Sequence, residues 1–183
     1  MNKSITLLLF LVLLIPIASF AEPALTSAEA KENSWTTKSS MPQTVSGAKA
    51  VAVNGKIYII TGTFNYEYNP AMDNWTAKKP MPTPRGSFGI AVFQNKIYVI
   101  GGEDEALSSK GYYFLSTNEV YDPSTDTWET KKPMPTSRKY VDANVVNGRI
   151  YVVGGITYED ENKHHQNHTA VNEVYDPATD SWT

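Results

Sequence analysis

The sequence predicts an all-β protein made of three copies of one four-stranded unit. Its 183 residues include 11 Gly, 11 Pro, 11 Tyr and 4 Trp, a composition that favours strands and turns over long helices. A pattern containing tryptophan returns every 40 to 54 residues, and such a period is typical of repeat proteins. Within each copy, short apolar runs are separated by turn-forming pairs such as Asn-Gly. Together these observations favour a series of small antiparallel sheets.

The repeat consists of several elements that keep the same spacing in each copy. Trp35, Trp75 and Trp128 each stand six residues before a Met-Pro pair, and an Ile-Tyr pair follows sixteen residues after each of these methionines. Small residues come next, and then a Tyr-Asn-Pro or Tyr-Asp-Pro triplet seven residues before the following tryptophan. The three copies are Trp35–Thr76, Trp75–Glu129 and Trp128–Thr183.

The local chemistry of each copy predicts a four-stranded antiparallel meander. Asn54-Gly55 and Asn147-Gly148 separate apolar runs and predict type I′ hairpins, in which both turn residues need φ > 0. The second copy has a weaker Gln-Asn pair at this place. A third strand ends at the proline triplet, because proline lacks a ladder donor, and a fourth runs from tryptophan to Met-Pro. Such a small sheet cannot cover both of its apolar faces, so the sheets are expected to stack.

The motifs Ile-Tyr-Val-x-Gly-Gly, Val-Tyr-Asp-Pro, Trp and Pro-Met-Pro-x-x-Arg together resemble the kelch motif over residues 34 to 183. The resemblance implies a kelch-type β-propeller, in which sheets called blades stand radially around a central channel. It also implies structural roles for the motif residues, because glycine permits close backbone approach and buried Tyr and Trp fill the contact between blades. The matching positions are Gly62, Gly101, Gly102, Gly154, Gly155, Trp75, Trp128, Trp182, Tyr68, Tyr121 and Tyr175.

Three blades make only a partial ring, since propellers typically have about four to eight. The segment from Trp35 to Met41 is expected to be a fourth strand without the first three strands of its blade. We therefore expect two uncovered blade faces, which further kelch blades of a longer chain, the favoured interpretation, or a second copy would cover. The first copy is the most divergent, because Thr61 replaces a glycine and Val45 replaces an arginine.

The first 21 residues have the features of a secretory signal peptide. Lys3 provides the positive start, residues 5 to 15 are apolar except for one threonine, and Ala21 ends a cleavage pattern of small residues. Pro16 interrupts a stretch already shorter than the about 20 residues that span a bilayer, although an uncleaved anchor stays as the alternative. Residues 22 to 33 are polar and are expected to form a linker. The mature protein is expected to be secreted or extracytoplasmic, in the periplasm or at the cell surface, and free of the membrane.

Binding residues are expected at one end of the blades, which we call the loop rim. Connections between the second and third strands emerge there, as do the crossovers from one blade to the next. The former are short in the first copy (63–67) and long in the other two (103–120 and 156–174), and long loops on a rigid scaffold usually carry binding residues. The candidate ligand-binding residues are Arg85, Arg138, Tyr112, Tyr113 and Tyr158.

Each of these candidates has a second interpretation that the sequence leaves open. Arg85 and Arg138 could pair with a carboxylate on a peptide or an acidic sugar, or they could form internal ion pairs that brace the loops. The aromatic run from Tyr112 to Phe114 could stack on a sugar or on a partner side chain, or it could fold back onto the blades.

The sequence gives no pattern typical of a catalytic, metal or cofactor site. His164, His165 and His168 share one loop with several carboxylates, but no helix would bring them together, so a solvated polar loop is the favoured interpretation. The lack of cysteine excludes disulfides and thiolate metal sites. A formal charge of −3 provides no basic field for nucleic acid. Asn74 and Asn167 begin Asn-x-Thr triplets, which are predicted glycosylation acceptors in an exported protein.

These features favour an exported, non-catalytic kelch-repeat scaffold that binds a protein or glycan partner through its loop rim. The alternative implied by the resemblance is a fragment of an extracytoplasmic kelch-type carbohydrate-active enzyme, similar to a sugar oxidase or a sialic-acid isomerase. The oxidase version needs a cysteine cross-linked to tyrosine, and the chain has no cysteine. We therefore expect no cofactor and, in the favoured interpretation, no catalysis.

Overall fold

The computed structural model describes residues 34–62, 64–104, 113–158 and 165–183. The chain divides into two units, Met1–Thr36 and Thr37–Thr183. In the first unit only the last three residues are described; they form no regular secondary structure, and the Trp35 side chain is almost fully exposed. The predicted signal peptide (1–21) and linker (22–33) lie outside the described residues. Within the described ranges, no helix is long and apolar enough to span a bilayer.

The second unit contains three four-stranded antiparallel sheets, which we name blades A, B and C. Blade A consists of β1 (Lys49–Val53), β2 (Lys56–Ile60), β3 (Asn65–Asn69) and β4 (Asn74–Lys78). Blade B consists of β5 (Gly89–Phe93), β6 (Lys96–Ile100), β7 (Asn118–Asp122) and β8 (Thr127–Lys131). Blade C consists of β9 (Asp142–Val146), β10 (Arg149–Val153), β13 (Asn172–Asp176) and β14 (Ser181–Trp182). Its long loop carries a separate hairpin of β11 (Ile156–Tyr158) and β12 (Gln166–His168), which the sequence analysis did not predict.

The hairpin turns explain why the first two strands of each blade pair as they do. Asn54 and Gly55 have φ of 50° and 73°, so both turn residues adopt the left-handed conformation that a type I′ turn requires. Gln94 and Asn95 do the same, with φ of 50° and 60°. The predicted meander is therefore confirmed, including the copy with the weaker turn signal. The first strands of neighbouring blades approach each other, which places them at the centre and the fourth strands at the periphery.

The blades are held together by apolar side chains between their faces. We call the face that packs on the next blade the forward face and the opposite one the rear face. Each contact contains a tyrosine pair, Tyr58 with Tyr121 at 6.0 Å between ring centroids and Tyr98 with Tyr175 at 6.1 Å. The forward face of blade A and the rear face of blade B bury Val53, Tyr58, Ile60, Ile97, Val99 and Tyr121. The next contact buries Tyr98, Ile100, Val120, Ile150, Val152 and Tyr175.

A hydrogen-bonded group at the outer edge of each blade, which we call the latch, binds the segment that precedes that blade. In blade A, Asp73 accepts hydrogen bonds from the Tyr68 hydroxyl and the Ser39 main-chain N–H, while Trp75 Nε1 donates to the Ser39 carbonyl. All nine such bonds in the three blades measure 2.6 to 3.0 Å. The equivalent residues are Asp126, Tyr121, Trp128 and Lys79 in blade B, and Asp180, Tyr175, Trp182 and Lys132 in blade C.

The predicted strand from Trp35 to Met41 is wrong, because residues 34–41 form no strand. A strand needs a hydrogen-bonding neighbour, and here the main chain of Ser39 bonds instead to the side chains of the blade A latch. Among the described residues, both outermost faces of the stack expose apolar side chains, although Tyr66 and Tyr68 on the rear face of blade A are buried. Ile57 on the rear face of blade A is 37% exposed, and Val146 and Val153 on the forward face of blade C are 49% and 44% exposed.

Candidate binding site on the loop rim

The loop rim is built from crossover segments that are hydrogen-bonded to the long loop of the same blade. In blade B, Glu103 forms isolated β-bridges with Gly86 of the crossover and with Phe114. In blade C, Lys139 of the crossover forms a bridge with Ile156 at the start of the extra hairpin. These bridges fix the described ends of both long loops against the rigid blades.

Arg85 lies inside blade B rather than on the surface of the rim. Its side chain is completely buried and forms an ion pair with Glu119 of β7. Its guanidinium also donates to the carbonyl oxygens of Gly101, Thr83 and Val99, each at 2.9 Å. Burial lowers the pKa of Arg85, and the ion pair with Glu119 opposes this effect. The guanidinium therefore connects β6 and β7 to the crossover that precedes blade B.

Arg138 occupies the equivalent place in blade C. It is fully buried, and its Nη2 lies 2.7 Å from Glu173 Oε2. Its Nη1 donates to the carbonyls of Gly154 at 2.8 Å and Val171 at 2.9 Å. Both arginines thus form internal ion pairs, the second interpretation left open by the sequence. Since neither guanidinium reaches the surface, the hypothesis that they offer charge to a ligand at the rim is corrected.

In blade A, uncharged residues stand at both positions of this ion pair. Val45 stands at the arginine position, and Tyr66 stands at the position of Glu119 and Glu173. Losing one partner of a buried ion pair typically costs about 3–5 kcal/mol, because the other charge stays buried and unpaired. Losing both partners leaves no such charge. The sequence shows this exchange directly. The third strands of blades B and C read Asn-Glu-Val-Tyr-Asp at 118–122 and 172–176, whereas that of blade A reads Asn-Tyr-Glu-Tyr-Asn at 65–69.

The paired glycines let the crossovers come close to the loops. Gly102 and Gly155 have φ of 107° and 97°, and a Cβ at either would lie 2.5 Å from a main-chain oxygen, of Gly86 and Lys139 respectively. The neighbouring glycines 101 and 154 also have positive φ. Side chains are therefore excluded for both conformational and steric reasons. In blade A the equivalent Gly62 lines an open cleft.

The long loops of blades B and C are joined to each other by stacking, and Lys139 of the crossover contacts the blade B loop through its charge. Lys139 Nζ lies 2.8 Å from Glu103 Oε2 and 4.9 Å from the centre of the Phe114 ring. Phe114 stacks on Tyr158 with 4.1 Å between centroids and 14° between planes. Burial raises the pKa of the Tyr158 hydroxyl, which accepts a hydrogen bond from the Phe114 N–H at 3.2 Å. Phe114 thus folds back onto the neighbouring loop.

Of the other two aromatic candidates, the structure describes only Tyr113. Tyr113 is 37% exposed at the described end of the blade B loop, while Tyr112 lies outside the described residues. Both remain predictions as ligand-binding residues.

Two clefts open at the rim where the three crossovers converge. The larger, of about 340 Å³, lies between blades A and B and is lined in part by Thr44, Ser46, Thr61 and Ser87. The smaller, of about 270 Å³, is lined by Gly47, Ala48, Lys49, Ser87 and Tyr140. Gly47 and Ser87 line both, so the clefts adjoin.

Tyr140 is the most exposed aromatic side chain at these clefts. It is 60% exposed, and its φ of 52° is unusual for a bulky residue. Ser87 and Gly47 stand at the same position in the other crossovers and also have positive φ, 56° and 65°. The Tyr140 N–H donates to the Ser87 carbonyl at 2.7 Å, so the strained backbone is held by a neighbouring blade. Ser87 and Tyr140 were not predicted from the sequence. The sequence marks them only by their constant position, two residues after the arginine of each crossover.

The histidine-rich loop gives no metal-binding arrangement among the residues that the structure describes. His168 lies on β12, where its backbone pairs with Ile156, and His164 lies outside the described residues. The described residues around His168 form a hairpin rather than a helix. Asn74 on β4 and Asn167 on β12 are both exposed, so their predicted role as glycosylation acceptors stays a prediction.

Comparison with known proteins identifies the repeat independently. The family model described as the Kelch motif matches residues 84–135 and 137–183. Kelch-like protein terF of Aspergillus terreus is 41% identical over 75 residues, which make up 40% of this chain and 16% of that protein. Kelch repeat and BTB domain-containing protein 12 of Homo sapiens is 33% identical over 153 residues, covering 83% of this chain and 19% of that protein. The chain thus spans less than a fifth of the length of these two relatives.

A solved structure shows the same fold. The protein titled YjhT, a kelch propeller, aligns with a TM-score of 0.68 and 22% sequence identity, covering 80% of this chain and 52% of that one. At this identity the likeness concerns the fold alone. With its three blades, repeated latches and Kelch motif matches over more than half its length, the chain belongs to the kelch-repeat family.

Proposed function

We propose that this chain is an exported, non-catalytic scaffold that binds a partner protein through the two adjoining clefts of its loop rim. Kelch repeats suggest a protein-interaction scaffold. The observation that carries the proposal is the exposed Tyr140 beside two clefts that share Ser87 and Gly47. Concave sites with a few fixed polar groups are the usual places for binding.

The lining of the larger cleft indicates the chemistry of the bound group. Its residues are uncharged and supply hydroxyl groups, main-chain groups and the apolar side chains of Val45, Phe64 and Phe88. Such a surface suits a neutral segment with both polar and apolar atoms, such as an extended loop of a partner protein. An acidic peptide would find no exposed guanidinium from Arg85 or Arg138, because both are buried in ion pairs.

Tyr140 is suited to act as an anchor for such a segment. Tyrosine combines a large apolar ring with a polar tip and is enriched among residues that dominate binding energy. Its backbone is fixed by the hydrogen bond to Ser87, and Lys139 Nζ lies 5.1 Å from the centre of its ring. A preorganised anchor loses little entropy on binding.

The test compares capture by the wild-type chain with capture by rim variants. Tyr140→Asn removes the ring while keeping a residue that tolerates positive φ, and Ser46→Phe fills the larger cleft. Met72→Asn is the matched control, since Met72 is 69% exposed in a turn of blade A. Each immobilised protein is exposed to the extracellular and cell-surface proteins of the source organism, and bound proteins are quantified by mass spectrometry.

We expect one or more proteins to bind the wild type and the control. The amount bound to each rim variant should be at least about tenfold lower, which corresponds to a loss of about 1.4 kcal/mol of binding free energy. Titration calorimetry with the purified partner then measures the affinity directly. Equal capture by all four proteins would refute the rim as the binding site. Binding on a glycan panel that the same variants abolish would assign the rim to a glycan, and turnover of a sugar would favour an enzyme.

Export is tested separately. The apolar segment 5–15 and the small residues before Glu22 support cleavage after Ala21. Mass spectrometry of the protein recovered outside the cytoplasm is expected to show a chain that begins at Glu22. A chain that keeps Met1 in the membrane fraction would instead favour an anchor.

A further inference from the structure

A buried carboxylate lies on the forward face of blade A, in the contact with blade B. Glu67 of β3 is 8% exposed, and its two oxygens accept hydrogen bonds of 2.6 Å from Lys56 Nζ and from the Tyr58 hydroxyl. Burial would raise the pKa of Glu67, but these two hydrogen bonds and the nearby charge of Lys78 lower it below its usual value. Three side chains of blade A therefore stabilise this carboxylate.

The same three side chains occur at the equivalent positions of blade B, whereas the carboxylate does not. They are Lys96, Tyr98 and Lys131. Val120 stands opposite Tyr98 in the strand register, where blade A has Glu67 opposite Tyr58. In the contact between blades B and C, an uncharged apolar side chain thus replaces the carboxylate.

This exchange leaves the Tyr98 hydroxyl without an acceptor. Tyr98 is 6% exposed, and within the described part of the chain no group forms a hydrogen bond with its hydroxyl. Burial, together with the charges of Glu129 and Asp180, raises the pKa of Tyr98, so at neutral pH the hydroxyl keeps its proton and can donate a hydrogen bond. A buried donor is destabilising unless a bound group or a water supplies the acceptor.

A cleft of about 230 Å³ opens at this hydroxyl between blades B and C, and we call it the BC cleft. Gln94 and Gly148 of the hairpin turns line it, so it lies at the end of the blades opposite the loop rim. The three side chains named above contribute polar groups, while Phe93, Pro177 and Ala178 contribute apolar surface. Sites for drug-sized ligands measure about 300–1,000 Å³, so the BC cleft suits a smaller molecule.

We propose that the BC cleft binds a small organic monocarboxylate, whose carboxylate takes the place that Glu67 has in blade A. The Tyr98 hydroxyl donates a hydrogen bond to it, and Lys96 and Lys131 supply positive charge, as their equivalents do for Glu67. A short apolar chain on the ligand suits the apolar part of the lining. This site is separate from the two clefts of the loop rim, and its ligand is independent of their partner.

The two lysines of the BC cleft are engaged in ion pairs at the surface. Lys96 Nζ lies 3.1 Å from Asp122 Oδ2, and Lys131 pairs with Glu129. The side chains of Lys96 and Glu129 are 44% and 62% exposed, and exposed ion pairs contribute little to stability. An entering carboxylate can therefore share both lysines. Because Glu129 also lines the cleft, its negative charge opposes the ligand, and removing that charge should strengthen binding.

The first test titrates the purified full chain with butyrate, at an ionic strength held constant with chloride. Butyramide, which has a similar shape but no charge, is the matched neutral probe. Ligands of few atoms bind weakly, so the titration is followed through main-chain amide shifts in NMR spectra. We expect saturable shifts around Gln94, Tyr98 and Lys131 with butyrate, and no saturable shifts there with butyramide.

Single substitutions then assign the contacts. Tyr98→Phe removes one oxygen atom and should raise the butyrate dissociation constant about tenfold or more, as expected when a hydrogen bond to a charged group is lost. Tyr58→Phe makes the same change where Glu67 already occupies the place, so this matched control should bind butyrate like the wild type. Glu129→Gln should lower the dissociation constant about threefold, the size of an exposed charge interaction.

The second test exchanges the residues that distinguish the two contacts. Val120→Glu places the carboxylate of blade A into blade B, where it should occupy the site and abolish butyrate binding. Glu67→Val removes the carboxylate from blade A and should create a second butyrate site, with new saturable shifts around Lys56 and Tyr58. Circular dichroism checks that each variant keeps its strands.

Several results would overturn the proposal. These are a wild type that shows no saturable shifts with butyrate, equal binding of butyrate and butyramide, and a Tyr98→Phe variant that binds butyrate as the wild type does. Butyrate shifts confined to the loop rim would also contradict the BC cleft. If Val120→Glu does not fold, Tyr98→Phe and Glu67→Val still decide the outcome. None of these results bears on the capture of a partner protein by the rim, which is measured with other variants.

Discussion

The buried ion pair of blade B can be exchanged for the pair of residues that blade A uses instead. Arg85→Val alone leaves Glu119, which is 1% exposed, without its counter-charge, and Glu119→Tyr alone leaves Arg85 in the same condition. Each single change is expected to cost about 3–5 kcal/mol of unfolding free energy. The double variant removes both charges, but the carbonyls of Gly101, Thr83 and Val99 lose their donor at about 1 kcal/mol each. Its cost should therefore be about 3 kcal/mol, well below the sum of the single costs.

Urea unfolding followed by tryptophan fluorescence measures these differences, with protein concentration held fixed because self-association would shift the midpoint. The double-mutant cycle should give a favourable coupling of about 3 kcal/mol or more. If the single variants do not fold, Glu119→Gln, which keeps the shape of the side chain, provides a milder removal of the charge. A single variant that costs under about 1 kcal/mol, or a double variant as costly as the sum, would refute the compensation between Val45 and Tyr66.

Three further predictions concern turns and latches. Gly102→Ala is expected to cost more than Gly55→Ala, about 3 against 1 kcal/mol in urea unfolding, because only at Gly102 does the added Cβ meet a main-chain oxygen as well as a positive φ; equal costs would contradict the close approach. Trp128→Phe should cost about 1 kcal/mol, since the ring is largely kept and its hydrogen bond to the Lys79 carbonyl is lost; an unchanged midpoint would argue against that bond. The pKa of Asp180 is lowered by the Tyr175 hydroxyl and the Lys132 N–H, so its contribution to stability is present above the unfolded pKa of about 3.9 and is lost as pH falls through the folded value. In thermal melts, the melting temperature of Asp180→Asn should fall less steeply on acidification than that of the wild type. Identical pH profiles of the two proteins would exclude this contribution.

Much of the fold could be predicted because its signals are local. Asn54-Gly55 and Asn147-Gly148 need only their own backbone preferences to specify a hairpin, and the strand Lys56–Ile60 follows from alternation next to such a turn. The stacking of blades follows from a sheet too small to cover its two faces. In the structure, strands Lys56–Ile60 and Arg149–Val153 begin directly after these two Asn-Gly pairs.

The site was harder to predict because it depends on contacts between distant residues. Whether Arg85 is exposed or buried depends on Glu119, thirty-four residues away, and sequence alone left both interpretations open. The strands of the hairpin β11–β12 are only three residues long and β12 is entirely polar, so the pair gives no sustained alternation of apolar and polar positions. Tyr140 was missed because a positive φ at a bulky residue is imposed by the neighbouring crossover rather than by the residue itself.

The latches have a consequence for how such proteins can change length. The aspartates of the three latches accept a hydrogen bond from a main-chain N–H of the preceding segment, and the tryptophans donate one to a main-chain carbonyl. Every residue except proline possesses both groups. The position that the latch binds is occupied by serine in blade A and by lysine in blades B and C. A duplicated or transplanted repeat would therefore find its attachment point ready on any neighbour, without matching substitutions there.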